Sequence, residues 1–200
     1  MKWPILCFFC LLIPLVLSAQ EFNGGLYTGV VASQLDGDQF EGYNKAGFLF
    51  GAYVNHDTFS KTQFQMGLRY LQKGSKKADT KNNVYYKSQL HYVEIPITLK
   101  YFYYKKLVFE GGFALGYLIK ALEDKDGTGL MAAEPNFNTF DFSGLLGVSY
   151  FWTDNISFQA HFSYSLLPVR PFFPNYNTIQ KGQHNNGVYF TVAYQIASWR

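Results

Sequence analysis

Eight stretches of the chain place apolar residues at every second position, and no other feature constrains the fold as tightly. Successive side chains of a strand point to opposite faces, so this period separates an apolar face from a polar one. From Ser88 to Tyr103, one face carries His91, Val93, Ile95, Ile97, Leu99, Tyr101 and Tyr103, and the other carries Tyr92, Glu94, Thr98 and Lys100. The next segment sets Leu107, Phe109, Phe113, Leu115, Tyr117 and Ile119 against Glu110, Gly112, Ala114, Gly116 and Lys120. Further on, Ile156, Phe158, Ala160, Phe162, Tyr164 and Leu166 oppose Ser157, Gln159, His161, Ser163 and Ser165. The third segment alternates Phe64, Met66, Leu68 and Tyr70 with Gln63, Gln65, Gly67 and Arg69, and the last alternates Val188, Phe190, Val192, Tyr194 and Ile196 with Tyr189, Thr191, Ala193, Gln195 and Ala197. Three glycine-rich segments, Glu21 to Gln34, Ala46 to Val54 and Phe140 to Trp152, complete the eight.

The connections alternate in length. Asn55 to Lys61, Tyr104-Lys105 and Thr153-Asp154-Asn155 are short, whereas Leu35 to Lys45, Gly74 to Lys87, Glu123 to Thr139 and Pro168 to Gln183 are long and rich in turn-forming or charged residues. That alternation predicts an all-β, eight-stranded antiparallel up-and-down transmembrane β-barrel, with short periplasmic turns, four longer external loops and both termini in the periplasm. The apolar run Ile5 to Leu17, preceded by Lys2 and followed by Ser18-Ala19, reads as a signal peptide over residues 1–19, leaving a barrel domain over 20–200. Cys7 and Cys10 both fall in that signal, so the remaining chain has no thiol chemistry.

No segment after the signal supplies the 18 or so consecutive apolar residues of a spanning helix. Aromatic residues nevertheless make up 20% of the chain, with 16 Tyr and 20 Phe, a load suited to a lipid-facing wall and its interfacial girdles. A formal charge of +3 gives no basis for a nucleic-acid partner. Periodicity alone also fits a soluble lipocalin-like ligand-binding barrel, which would turn its apolar face inward. Small residues on the polar faces and Phe and Tyr on the apolar ones favour the membrane arrangement.

The polar faces carry four charges, Arg69, Glu94, Lys100 and Glu110, expected to form an interior network with Lys100 opposite Glu110. Eight strands leave room for side chains to fill the lumen, so this set reads as a plug of paired charges rather than an ion path. His161 among Ser163 and Ser165 would be buried in that lumen, out of a lipid substrate's reach. The spacings of His56, His91, His161 and His184 match no metal motif, and Asp36-Gly37-Asp38 lacks the later ligands of a calcium loop. No catalytic residue, metal ligand or cofactor is therefore expected. Lys73, Lys76, Lys77, Lys81, Arg170 and Lys181 are candidates to meet lipopolysaccharide phosphates from the long loops. Pro96 lacks a ladder donor in a strand paired on both sides, which suggests a bulge.

The chain resembles the PorT-like, or porin-family, outer-membrane β-barrel proteins of Gram-negative bacteria. The resemblance rests on Gln34-Leu35-Asp36-Gly37-Asp38 with Gly42-Tyr43-Asn44-Lys45-Ala46-Gly47, and on Tyr92-Val93-Glu94-Ile95-Pro96 leading to Leu99-Lys100-Tyr101. Gly111-Gly112, Gly116-Tyr117-Leu118 and Asn185-Asn186 add to it. It implies an eight-stranded outer-membrane barrel and, through its namesake branch, association with secretion machinery. Together these readings lead us to expect a non-enzymatic envelope anchor, binding scaffold or component of a secretion or envelope complex. A small channel or hydrophobic-ligand transporter is the alternative. The expected partners are outer-membrane lipid and lipopolysaccharide, and the barrel-assembly machinery through the C-terminal strand 184–198.

Overall fold

The computed structural model describes residues 22–38, 42–79, 84–134, 136–171 and 182–196. It contains β1 Phe22–Asp36, β2 Lys45–Phe59, β3 Thr62–Lys73, β4 Lys76–Asp79, β5 Val84–Tyr104, β6 Leu107–Asp124, β7 Met131–Ala132, β8 Phe140–Phe151, β9 Ile156–Ser165 and β10 His184–Gln195. Eight of these close a ring in the order β5-β3-β2-β1-β10-β9-β8-β6, with β6 paired back to β5. The closing seam joins first strand to last, from Gly25↔Gln195 to Asp36↔His184. Closure leaves no unpaired edge, so every backbone donor and acceptor of the wall has a neighbour to meet. The two short strands, β4 and β7, pair with β5 and β6 at the long-loop end.

Burial gives the ring its sidedness. Val30, Phe50, Leu68, Ile97, Phe113, Leu146, Phe158 and Phe190, one from each ring strand, lie outside and stay 43–66% exposed. Facing inward from the same eight strands, Val31, Tyr53, Arg69, Glu94, Glu110, Ser143, His161 and Tyr189 are buried. An apolar outer face and a polar inner one are the reverse of a lipocalin, so the soluble reading is excluded. Close strand approach is built in at Gly112, where an added Cβ would sit 2.0 Å from the Ile97 carbonyl oxygen.

Several boundaries differ from the sequence reading. β2 continues through Asp57 and a register irregularity to Phe59, shrinking its turn to Ser60-Lys61, and β5 runs through Tyr104, moving the next turn to Lys105-Lys106. A register shift between Phe102 and Tyr104 absorbs that move and keeps Lys100 opposite Glu110. The segment from Gly74 to Lys87 is not a loop throughout, because β4 pairs with the start of β5 from Lys76↔Lys87 to Asp79↔Val84. Pro96 forms no bulge. Met66↔Ile97 and Arg69↔Glu94 share one register, and the β3–β5 ladder lapses between them without inserting a residue. The missing donor faces Gly67, whose bare backbone leaves space for the ring, while Pro96 stays paired with Ala114 on the other side.

The lumen is also more apolar than its sequence suggests. Leu35, Leu49, Leu71, Leu90 and Val169 are fully buried and belong to one cluster toward the long-loop end.

Candidate functional site

The alternation that turns Phe and Leu outward delivers charged side chains to the lumen, where desolvation forces them to find partners. Arg69 on β3 and Glu94 on β5 stand directly opposite, and Arg69 Nε donates to Glu94 Oε2 at 2.8 Å. Lys73, four residues and two periods of the alternation further along β3, lies 3.5 Å from Glu94 Oε1 and 3.0 Å from Asp141 Oδ2 on β8. Asp141 accepts from Ser165 Oγ at 2.6 Å and from Asn185 Nδ2 at 2.9 Å. Ser143 Oγ donates to Glu94 at 3.3 Å. Tyr rings floor the cations, with Arg69 5.2 Å from the Tyr189 centroid and Lys73 5.2 Å from that of Tyr92. One polar network thus ties together β3, β5, β8, β9 and β10.

A second group lies nearer the short-turn end. Lys100 Nζ is 3.9 Å from Glu110 Oε2, while His161 Nε2 and Ser149 Oγ both contact Glu110 Oε1. Between the two groups is a cavity of only about 10 Å³, bordered by Tyr27, Arg69, Glu110 and His161. Such a space accommodates at most about one water molecule.

A third group caps the long-loop end. Arg170 Nη2 is 2.8 Å from Glu123 Oε1, its guanidinium carbon is 3.7 Å from the Phe137 ring centroid, and Tyr86 Oη donates to Glu123 at 2.7 Å. Beside it, Tyr43 Oη donates to Asn186 Oδ1 at 2.8 Å, and Asp36 accepts from Gln34 and Asn186. Gly37 and Gly42 take positive φ angles of 94° and 99° in the first long loop. The quoted family residues around Asp36, Gly37, Gly42 and Tyr43 therefore form a clasp between that loop and β10. Asp38 closes a turn with its amide on the Leu35 carbonyl, and Gly47 sits where a Cβ would be 2.3 Å from the Gln72 carbonyl oxygen.

The structure accordingly brings Arg69 to Glu94 and Lys100 to Glu110, and adds Lys73, Asp141 and His161, which the sequence reading did not place in the network. Lys73 and Asp141 carry inward parity, the signal by which they can be found. Contrary to the expectation of loop cations meeting lipid phosphates, β3 extends through Lys73, which is 2% exposed within the lumen, and Arg170 is 6% exposed in the cap, so neither is presented for them. Lys81 and Lys181 lie outside the described residues. His161 turns to Glu110 rather than to a serine nucleophile.

The family model for the outer membrane protein β-barrel domain matches residues 18–169. No curated protein matches the chain in sequence. Among solved structures, Neisserial surface protein A is similar with a TM-score of 0.56 at 14% identity, covering 86% of this chain and 96% of that one. Ail, the attachment invasion locus protein of Yersinia pestis, solved in complex with the heparin analogue sucrose octasulfate, gives 0.52 at 10% identity, covering 88% and 99%. At these identities the likeness speaks for the fold. Fold, outward apolar wall and family match agree: the chain belongs to the outer membrane protein β-barrel domain family and resides in the outer membrane.

Proposed function

We propose that this protein is a non-enzymatic anchor of the outer membrane, a closed barrel that holds its four long loops at the cell exterior for binding. Its short turns and termini face the periplasm, and residues 1–19 are the signal removed on export. The carrying observation is the filled lumen: two buried charge groups cross it, with about 10 Å³ between them. A hydrated ion needs a continuous aqueous path, which wide porins supply with about 16 strands. Within this reading lipopolysaccharide surrounds the outer rim, and the barrel-assembly machinery engages segment 184–198. The resemblance to PorT-like proteins supports a place in a secretion or envelope complex. Planar-bilayer recording of the refolded protein tests the reading: an unbroken baseline is expected, and reproducible conductance steps would replace the anchor with a small channel.

A further inference from the structure

The long-loop rim carries a stripe of cations on its outer face. Lys76 on β4 and Lys87 on β5 are direct cross-strand partners, an arrangement in which like charges repel. Four residues along the same face of β5, about 13 Å away, His91 stands opposite Lys120 of β6. Lys45, at the start of β2, shares the inward parity of Leu49 and Tyr53 and is 3% exposed, so it lies behind this stripe rather than in it.

No ion pair neutralises this stripe among the described residues. The nearby carboxylates are too few to balance it. Asp124, the ladder partner of Lys87, also accepts from the Gly127 amide at 2.7 Å and is a single charge beside two lysines; Glu123 contacts Arg170, Tyr86 and Lys125, and Asp141 contacts Lys73. Directly below lies an aromatic cluster on the lipid face, where Tyr70 is 5.6 Å from Phe48 and 5.2 Å from Phe50 between ring centroids, and Tyr70 Oη meets His91 Nδ1. Aromatic rings of this kind mark the membrane interface, which puts the ammonium groups at headgroup level rather than in open solvent.

We infer that Lys76, Lys87 and Lys120 form a binding site for the phosphates of a phosphorylated glycolipid headgroup in the leaflet around the long loops. The inference deepens the proposed function and rests on its assignment of that end to the exterior. The anion supplies the counter-charge that Asp124 alone leaves unmet, and the two stations, Lys76 with Lys87 and Lys120 beside His91, suit a headgroup phosphorylated at both ends.

The test measures binding of bisphosphorylated lipid A and of its dephosphorylated form to the detergent-solubilised full chain, by isothermal titration calorimetry. Each lysine at a charged surface is worth about five-fold in affinity, so the triple variant K76Q/K87Q/K120Q is expected to bind roughly 100-fold more weakly. Triple replacement by arginine and K106Q, at the opposite end, should bind as the wild type does. Wild-type affinity should fall steeply as salt rises. Equal binding of the dephosphorylated lipid would overturn the inference without needing any variant, so a misfolded triple leaves the test intact. Binding by the folded triple variant within two-fold of wild type would also overturn it. Displacement of the lipid by millimolar inorganic phosphate would show a free-anion site instead. Conductance is a separate readout, so failure here and failure of the closed-barrel reading are distinguishable.

Discussion

Replacing Glu94 by Gln isolates the part of the lumen that carries most of the folding argument. Glu94 is fully buried and is, among the described residues, the one carboxylate paired with Arg69, which is itself 5% exposed. After the change Lys73 still has Asp141 at 3.0 Å, whereas Arg69 keeps only a neutral amide and the Tyr189 ring. A guanidinium cannot escape by losing its proton. Removing one partner of a buried pair costs about 3–5 kcal/mol, because the other charge stays desolvated. The double variant Arg69→Met/Glu94→Leu removes both charges, and such replacements are commonly neutral or stabilising by about 1–4 kcal/mol. Urea titration in lipid vesicles, read by gel mobility of the unheated protein and by fluorescence, should therefore rank the double variant at or above wild type and Glu94→Gln far below. A loss under about 1 kcal/mol for Glu94→Gln, or a double variant as damaged as the single, would refute the reasoning.

Other perturbations have graded outcomes. Lys100→Met should cost less, about 1–2 kcal/mol, because Lys100 is 3.9 Å from a Glu110 that retains His161 and Ser149; the same urea titration reads it. Gly112→Ala should abolish the heat-resistant folded band on a gel, since its Cβ would meet the Ile97 oxygen at 2.0 Å. Gly144→Ala should keep that band, meeting only Leu166 Cδ2 at 3.7 Å. Leu146→Arg, on the outer wall at 66% exposure, should destabilise the barrel in bilayers by about 2–4 kcal/mol, and a neutral result would place that face in water.

The ring was legible because the strand period reports on each residue separately. Once Ile95, Ile97 and Leu99 were set outward, Glu94, Thr98 and Lys100 had to face inward, and they do. The partner lists were less legible, because inward parity fixes a face and not a height. Glu110 meets His161 two strands along, over the bare Gly147 that pairs with both, as well as Lys100 beside it, a choice made by the registers of β6, β8 and β9. Loops hid more. Lys73 and Arg170 look like solvated loop cations in the sequence, yet β3 runs far enough to carry Lys73 inside, and Phe137 with Glu123 draws Arg170 into the cap. Lys120 reads as a strand end, and only the pairing of β4 with β5 and of β5 with β6 lines it up with Lys76 and Lys87. Pro96 misled in the other direction, since a proline opposite a glycine needs no inserted residue.

Cysteine accessibility tests the central claim of an apolar outer wall around a closed lumen most directly. The chain's two cysteines, Cys7 and Cys10, precede the barrel, so single thiols can be placed in it without interference. Ser143→Cys puts one in the lumen, where Ser143 is fully buried, and Leu146→Cys puts one on the wall three residues away. In bilayers, the Leu146→Cys thiol should react with a lipid-soluble maleimide and the Ser143→Cys thiol with neither that reagent nor a water-soluble one until the barrel is unfolded. Rapid labelling of Ser143→Cys by the water-soluble reagent in the folded barrel would mean an open aqueous lumen and contradict the account.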